Sequence, residues 1–290
     1  MPYTKNNDVK IYFEAHGKGE PLVLIQGLGG TTRSWESQIR AFAKQYQVIL
    51  IDNRGAGQSD KPDAEYSIEL FAQDIKCVLD QLEITNANLL GISMGGFIAQ
   101  SFYKQYPQMV KSLILACTGV GLKDPNHQMF SEELHKIMYS ERNEQNHLHL
   151  VDVMHEHFFH PSFREKNATF MQVLSSVIKA DIQPYHSYKR QIQACYAEDG
   201  LSKHLSQINV PTLIIHAQDD LVVPIKNGLF LASNIPNAKL SIIPEAGHML
   251  FIEKSEKFNS EVLLFLEEHK STATCRHNQQ IHTPATILQT

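Results

Sequence analysis

Long apolar runs, basic clusters and closely spaced cysteines are all missing from this 290-residue chain, and each absence excludes a class of protein. No stretch approaches the ~18 uninterrupted apolar residues that a membrane-spanning helix needs. Residues 1–8 have no apolar core, so we expect no secretory signal there. The chain has no cluster of Lys and Arg, and its formal net charge is −5, which argues against a nucleic-acid partner.

The four cysteines are far apart and form no Cys-x-x-Cys pair; they are Cys77, Cys117, Cys195 and Cys275. This spacing is not typical of a disulfide framework or of a zinc site. It indicates reduced thiols, and we therefore predict a cytoplasmic protein. The apolar content of 42% and the charged content of 20% are ordinary for a globular domain.

Short apolar runs alternate with helical patterns in the first part of the chain. The alternating segment 9–14 predicts a half-exposed edge strand. Other runs are fully apolar and predict strands buried on both faces; they lie at 21–25, 48–51, 88–90 and 113–116. Helical patterns occupy 33–44 and the segment that Ser67 caps. This order predicts a mostly parallel sheet with helices on both faces.

Residues 121–209, which we call the cap, break this rhythm because they contain no strand-like run. They carry amphipathic helical patches instead, with apolar residues at Phe130, Leu134, Ile137 and Met138, at Phe170, Val173, Leu174 and Val177, and at Ile192 and Tyr196. Such stripes have to cover something apolar, and we expect them to enclose a dry pocket for a substrate.

The sheet pattern resumes after the cap, with apolar runs at 212–216 and 240–243 and a closing helix at 255–269. We therefore predict a core formed by 1–120 and 210–270, with the helical cap inserted between them. Residues 271–290 are polar and without periodicity, which predicts a disordered tail.

The sequence Gly91-Ile92-Ser93-Met94-Gly95 joins an apolar run to a helical pattern. A Gly-x-Ser-x-Gly motif between a strand and a helix is typical of a nucleophile elbow. The glycines allow a very tight turn, and the turn leaves the Ser93 hydroxyl projecting at the carboxyl edge of the sheet. Ser93 is therefore the candidate nucleophile. The alternative, a glycine-rich turn with a passive serine, is disfavoured by the flanking strand and helix.

A serine nucleophile needs a base that accepts its proton and an acid that orients this base. After such an elbow these partners follow in the order Asp or Glu, then His. Asp219 and Asp220 come after the run at 212–216, and His248 comes after the run at 240–243. Loops beyond the carboxyl ends of parallel strands meet at one edge of the sheet. His248 is therefore the candidate base, and one of the two aspartates is the candidate acid.

An oxyanion formed at Ser93 needs two hydrogen-bond donors. We expect one to be the backbone N–H of Met94, because it directly follows the nucleophile. For the second we choose the N–H of Leu28 in the glycine-rich loop 26–30. This loop could instead bind phosphate, but it lacks the Lys-Ser/Thr ending of a P-loop and the full spacing of a dinucleotide fingerprint. We expect no cofactor.

Histidines at 155, 157 and 160 suggest a possible metal site. On a helix, His155 and His157 point away from each other, whereas His157 and His160 have the spacing of a ligand pair. No further ligand is evident. We therefore expect no metal and interpret these residues as solvated histidines of the cap.

The chain resembles serine α/β-hydrolases of the esterase, enol-lactonase and cofactor-free perhydrolase group, over about residues 8–268. The resemblance rests on the motif at 91–96 and on Asp-x-Arg-Gly-x-Gly-x-Ser at 52–59. It also rests on 217–224, which is similar to a family loop that carries the acid of the triad.

The resemblance implies an α/β-hydrolase fold, a structural role for 52–59, and Asp220 as the acid. The chain departs from the family at Gln26, where His is usual, and at Ala217, where Gly is usual. Relatives with an Asp nucleophile, such as haloalkane dehalogenases, are disfavoured because position 93 is serine.

We expect a cofactor-free serine hydrolase that cleaves small to medium apolar esters through an acyl-enzyme, with a small-molecule ester or lactone as its partner. One alternative is an enol-lactone or C–C bond hydrolase of the same fold. A second is a ligand-binding receptor that retains the triad, and turnover of small aryl esters would separate it from an enzyme.

Overall fold

The computed structural model describes residues 2–143, 146–180 and 183–270. In this part of the chain an eight-stranded sheet runs in the order β1-β2-β4-β3-β5-β6-β7-β8. Its strands are β1 Tyr3–Asn6, β2 Val9–His16, β3 Glu20–Ile25, β4 Tyr46–Ile51, β5 Ala87–Ile92, β6 Val110–Ala116, β7 Thr212–Ala217 and β8 Lys239–Ile243. β2 pairs antiparallel with both of its neighbours, β1 and β4, and all other pairs are parallel. The predicted mostly parallel sheet is confirmed.

The helices of the core are α1 Glu36–Phe42, α2 Ile68–Gln81, α3 Met94–Gln105, α9 Lys226–Asn234, α10 Leu250–Glu253 and α11 Ser255–Glu268. Those of the cap are α4 Glu132–Tyr139, α5 His147–Phe158, α6 Pro161–Lys166, α7 Ala168–Ala180 and α8 Tyr185–Ala197. Short 3-10 segments occur at Thr32–Trp35, Pro107–Met109 and Leu201–Gln207. As expected, the described residues of the cap contain no strand. The described part of the chain contains no helix with the length and hydropathy of a membrane span.

Helices cover the sheet on both faces because successive strand residues point to opposite sides. In β3, Val23 and Ile25 join the apolar cluster under α2 and α3. Leu22 and Leu24 join the cluster that contains Phe42 of α1 and the buried face of α11. The central strands are therefore apolar throughout, as the sequence predicted for strands buried on both faces.

Segment 9–14 is not an edge strand, and that prediction is wrong. β2 extends to His16 and lies between β1 and β4. A tight turn at Asn7, whose φ is 54°, lets Tyr3–Asn6 fold back and pair with β2. The alternating pattern of β2 indicates that one face is solvated, but it does not predict whether a further strand pairs with it.

The apolar stripe of α7 does not cover an apolar surface, contrary to the expectation from its spacing. Phe170, Val173 and Val177 are 40%, 57% and 48% exposed. In α4 and α8, by contrast, Leu134, Met138 and Ile192 are buried against Val222 and Val223. The predicted tail at 271–290 lies outside the described residues.

Candidate active site

Ser93 lies at the junction of β5 and α3 with φ 56° and ψ −122°. Such a conformation costs a non-glycine residue roughly 1–3 kcal/mol and persists only where its surroundings hold it. The Ser93 N–H donates to Ala116 O at 3.0 Å, and Thr118 Oγ1 donates to Ser93 O at 2.7 Å. The neighbouring strand β6 and the residues after it therefore hold the strained turn on both sides.

The two glycines of the motif allow chain segments to approach closely. A Cβ at Gly91 would lie 2.2 Å from Gly95 O, and one at Gly95 would lie 2.1 Å from Ile25 O. Neither position can hold a side chain without moving backbone atoms. This steric demand explains why the elbow needs glycine on both sides of Ser93.

Asp220 and His248 form a buried hydrogen-bonded pair at the same edge of the sheet. His248 Nδ1 lies 2.8 Å from Asp220 Oδ2, and both residues are 4% exposed. The other carboxylate oxygen accepts the N–H groups of Val222 and Val223, each at 2.8 Å. The loop thus fixes one oxygen of the carboxylate, and His248 holds the other.

The electrostatics of this pair determine which nitrogen of His248 carries the proton. Burial raises the pKa of Asp220. The charge and hydrogen bond of His248 lower this pKa, as do His216 and the Val223 N–H, and the net result is a pKa below the ordinary value. Asp220 is therefore ionised and can only accept hydrogen bonds. Nδ1 of His248 must donate, which leaves Nε2 free to accept a proton.

Asp219, the neighbouring carboxylate, has a different environment. Its side chain is 42% exposed, and Oδ2 lies 3.8 Å from His160 Nε2 in the cap. Its backbone N–H donates to Ala246 O at 3.2 Å. The loop therefore directs Asp220, and not Asp219, toward His248.

The elbow is connected to the Asp–His pair through the end of β6 and the residues that follow it. Ala116 and Thr118, which hold the backbone of Ser93, flank Cys117. Cys117 Sγ, a carboxylate oxygen of Asp220 and a ring nitrogen of His248 lie within 4.8 Å of one another. Among the residues that the structure describes, Ser93 Oγ and His248 are not directly hydrogen-bonded.

Cys117 is a neighbour of the pair that the sequence analysis did not identify. It is fully buried, and its φ is 42°. Burial raises the pKa of its thiol well above the ordinary value, and the Asp220 charge raises it further.

Cys117, Asp220 and His248 form the one group of three potential metal ligands in the described ranges. A protonated thiol is neither a nucleophile nor a metal ligand. The sequence signal that could have identified Cys117 is its position directly after a buried strand.

The loop 26–30 passes over the nucleophile. A Cβ at Gly27 would lie 3.1 Å from Ser93 Cβ and 3.5 Å from Ser93 Oγ. The N–H of Gly27 donates to Gln26 Oε1 at 3.1 Å, and that of Gly29 donates to Gln191 Oε1 at 3.0 Å. The loop is thus fixed on both sides of Leu28.

Of the two predicted oxyanion donors, Met94 directly follows Ser93, and Leu28 directly follows Gly27, whose backbone lies against Ser93. Within the described part of the chain the Leu28 N–H has no hydrogen-bond acceptor. Met94 is the first residue of α3, so its N–H has no acceptor in the preceding turn. Both N–H groups therefore remain candidate donors to an oxyanion.

Gln26, which stands where the family usually has His, stabilises this loop. Its side-chain oxygen accepts the Gly27 N–H, and its backbone oxygen accepts Asn53 Nδ2 at 3.0 Å. Asp52 is fixed in turn by the N–H groups of Thr32 and Gln58, at 2.7 and 2.8 Å. These contacts match the structural role that the resemblance implied for segment 52–59.

The cap contacts the site through apolar and aromatic groups. The Phe158 ring stands edge-on to the His248 ring, with centroids 5.3 Å apart. Leu28 and Phe158 also pack against the buried cluster of Leu134, Met138, Ile192, Val222 and Val223. The surroundings of the site are therefore mainly apolar on the cap side.

The histidines of the cap have other partners. His157 Nδ1 lies 3.0 Å from Val153 O, and His160 Nδ1 accepts the Ser162 N–H at 3.2 Å. The structure does not bring His157 and His160 together with a third potential ligand among the residues it describes.

Comparisons with known proteins support this picture. The family model for the alpha/beta hydrolase fold matches residues 20–255. The 2-hydroxy-6-oxononadienedioate/2-hydroxy-6-oxononatrienedioate hydrolase of Burkholderia vietnamiensis is 31% identical, over 89% of this chain and 91% of its own length. The 3-oxoadipate enol-lactonase 2 of Acinetobacter baylyi is 27% identical, over 88% and 92% respectively.

A solved esterase from Exiguobacterium antarcticum superposes with a TM-score of 0.81 at 29% identity, and the match covers 91% of this chain and 98% of the esterase. The family match spans most of the core and all of the cap, including the elbow and the Asp–His pair. The chain belongs to the α/β-hydrolase family and is a hydrolase of that fold.

Proposed function

We propose that this enzyme is a serine hydrolase that cleaves carboxylic esters of small to medium apolar substrates through an acyl-enzyme. Ser93 is the nucleophile, His248 the general base and acid, and Asp220 the residue that orients His248. The observation that carries this proposal is the buried 2.8 Å contact between His248 Nδ1 and Asp220 Oδ2 beside the strained elbow. It leaves the basic nitrogen of His248 available at the edge where Ser93 projects.

The chemistry follows from these positions. Ser93 Oγ attacks the ester carbonyl carbon while its proton passes to His248 Nε2, and the carbonyl oxygen becomes an oxyanion. The N–H groups of Leu28 and Met94 stabilise this oxyanion, and each contributes about 2.7–4 kcal/mol to transition-state stabilisation. The tetrahedral intermediate collapses as His248 returns the proton to the leaving alkoxide. Water then attacks the acyl-enzyme while His248 accepts its proton, and His248 returns this proton to Ser93 Oγ as the carboxylic acid leaves.

The preference for apolar acyl groups rests on the buried cluster that contacts Leu28. Leu134, Met138 and Ile192 of the cap contribute only hydrocarbon and thioether groups to it. Apolar contacts of this kind favour an alkyl chain over a charged one, because a charge would lose its hydration there without a partner. In this proposal residues 121–209 act as a lid over the core formed by 1–120 and 210–270.

The cytoplasmic location belongs to the same proposal. It is supported by the free thiols of Cys77, Cys117 and Cys195, none of which is in a disulfide in the described residues.

An organophosphorus probe tests the covalent step. It should label the enzyme stoichiometrically, and peptide mapping should locate the adduct on Ser93. Labelling that persists in Ser93→Ala would contradict the assignment of the nucleophile. Stoichiometric labelling with almost no turnover of aryl esters would instead support a receptor that retains the triad.

A second candidate function is hydrolysis of an acidic substrate, such as an enol-lactone or a substrate of C–C bond hydrolysis. The relatives named for 3-oxoadipate enol-lactone and 2-hydroxy-6-oxononadienedioate act on acids by name. The cap also holds buried donors without an acceptor among the described residues, Arg142 Nε and the Tyr188 hydroxyl. The Arg142 guanidinium stacks on the Tyr188 ring at 3.6 Å from its centroid. Such a pair could bind a carboxylate.

Acetyl, hexanoyl and succinyl aryl esters separate the two candidates by their kcat/KM. We expect the hexanoyl and acetyl esters to react faster than the succinyl ester. A preference for the succinyl ester that disappears in Arg142→Gln would contradict the apolar assignment and favour the acidic substrate. Arg190→Gln on α8 is a control, because Arg190 pairs with Asp63 at 3.0 Å.

A further inference from the structure

Glu253 is a buried carboxylate close to the site that no catalytic step above uses. It ends α10, it is 9% exposed, and each of its oxygens accepts a backbone N–H. Oε1 accepts the Gly247 N–H at 3.0 Å, and Oε2 accepts the His160 N–H at 2.9 Å. Gly247 directly precedes His248, and His160 lies in the cap between α5 and α6. One carboxylate thus connects the loop of the candidate base to the cap; we call these two hydrogen bonds the Glu253 bridge.

Other contacts show that the two segments joined by the bridge are tightly packed. The Met249 N–H donates to Phe158 O at 3.1 Å. A Cβ at Gly247 would lie 2.8 Å from His160 N and 2.9 Å from Phe158 O, so only glycine permits this approach. The Phe158 ring also stands edge-on to the His248 ring. A shift of residues 158–160 would therefore move groups that contact His248 and both of its chain neighbours, Gly247 and Met249.

We propose that Glu253 is a positioning residue that holds cap residues 158–160 against the His248 loop and thereby sets the placement of the His248 imidazole. This inference rests on the proposed function, in which His248 is the base, and it adds a control of that base by the cap. The bridge is strongest with a charged carboxylate, because each of its oxygens accepts an N–H. In a protonated carboxyl group the hydroxyl oxygen is a weaker acceptor, so one of the two hydrogen bonds is weakened.

The bridge is therefore sensitive to pH. Burial raises the pKa of Glu253 to about 7, although the N–H groups of His160 and Gly247 lower it and the Asp220 charge raises it further. The titratable groups that face Glu253 are His248 on its own loop, Asp220 after β7, Cys117 after β6 and His160 in the cap. The carboxylate is charged above this pKa, where the bridge forms, and becomes protonated below it, where the bridge loosens.

Glu253→Gln tests the bridge, because an amide keeps the shape but can accept only one of the two N–H groups. The parent should exceed Glu253→Gln in kcat/KM by about tenfold near pH 8.5, and the ratio should fall to about twofold or less near pH 5.5, where the parent carboxylate is protonated. Glu256→Gln is the matched control, since Glu256 is exposed in the next helix. It should match the parent at both pH values.

A second pair of variants tests the cap side without changing the His248 loop. His160 has φ −60° and ψ 139°, and Phe159 before it has φ −112° and ψ 139°. These backbone angles suit proline at position 160, and the proline ring would take the place of the N–H and displace the Glu253 carboxylate from it. His160→Pro removes the N–H donor and the imidazole, whereas His160→Ala removes only the imidazole. We expect His160→Pro to be several-fold slower than His160→Ala near pH 8.5, with a smaller gap near pH 5.5.

The outcomes separate the two levels of inference. A parent to Glu253→Gln ratio that stays constant with pH, or equal rates for His160→Pro and His160→Ala, would overturn the bridge while leaving Ser93 labelling and ester turnover intact. Absence of Ser93 labelling in the parent enzyme would overturn the proposed function itself. If Glu253→Gln does not fold, the comparison at His160 decides the question alone.

Discussion

The carboxyl edge of the sheet and the exposed face of α7 differ in how far local pattern explains them. At the sheet edge, Ser93 and Asp220 are each held by hydrogen bonds to residues of other segments or to backbone N–H groups, and Asp220 is 4% exposed. On α7, Phe170 and Val173 follow an equally regular apolar spacing, yet they are 40% and 57% exposed. Regular spacing predicts a helix or strand well. It does not show what, if anything, covers the apolar face.

Separate substitutions of the two adjacent aspartates should give the largest difference in activity. Asp220→Asn leaves an amide that can stabilise the wrong tautomer of His248, and we expect kcat to fall by about 10⁴, or roughly 5.5 kcal/mol. Asp219→Asn should remain within about tenfold of the parent, because Asp219 is a half-exposed neighbour of His160. Steady-state kinetics on an aryl ester measures both. The reverse order would make Asp219 the acid, and no effect in either variant would remove this loop from the triad.

A methyl group added at the elbow should destabilise the fold, whereas the same change at the end of the cap should not. In Gly95→Ala the new Cβ would lie 2.1 Å from Ile25 O. We expect a loss of about 3 kcal/mol in the free energy of unfolding, because backbone must shift. A Cβ at Gly200 would have its nearest neighbour, Glu198 Oε1, 3.8 Å away. Gly200→Ala should therefore change the free energy of unfolding by less than about 0.5 kcal/mol. Denaturant unfolding measures both, and similar losses would show that the elbow is not uniquely tight.

The smallest effects should distinguish covered from uncovered stripes within the cap. Leu134 is fully buried, and Leu134→Ala should cost about 2 kcal/mol or more through the cavity it leaves. Val173→Ala on the exposed face of α7 should stay within about 0.5 kcal/mol. Thermal unfolding of both variants provides the comparison. An equal cost would mean that the α7 face is covered in solution.

The sequence by itself determined most of the strands and the nature of the site. Short apolar runs predicted the buried parallel strands, because a strand covered on both faces has no solvated side. The elbow motif predicted where Ser93 would lie, since its glycines permit only a very tight turn. The order of residues after β7 and β8 predicted that an aspartate would meet His248, because parallel strands end at a common edge. The choice of Asp220 came from family resemblance.

Only the tertiary structure decided features that depend on residues distant in sequence. The pairing of β1 with β2 depends on a turn at Asn7, which periodicity does not report. Cys117 lies close to Asp220 because β6 and β7 end side by side, although the whole cap separates these strands in the sequence. The Glu253 bridge likewise joins residues 93 positions apart. Local propensity fixes which elements form, but burial and hydrogen bonding between distant segments set which side chains meet, and that requires the folded chain.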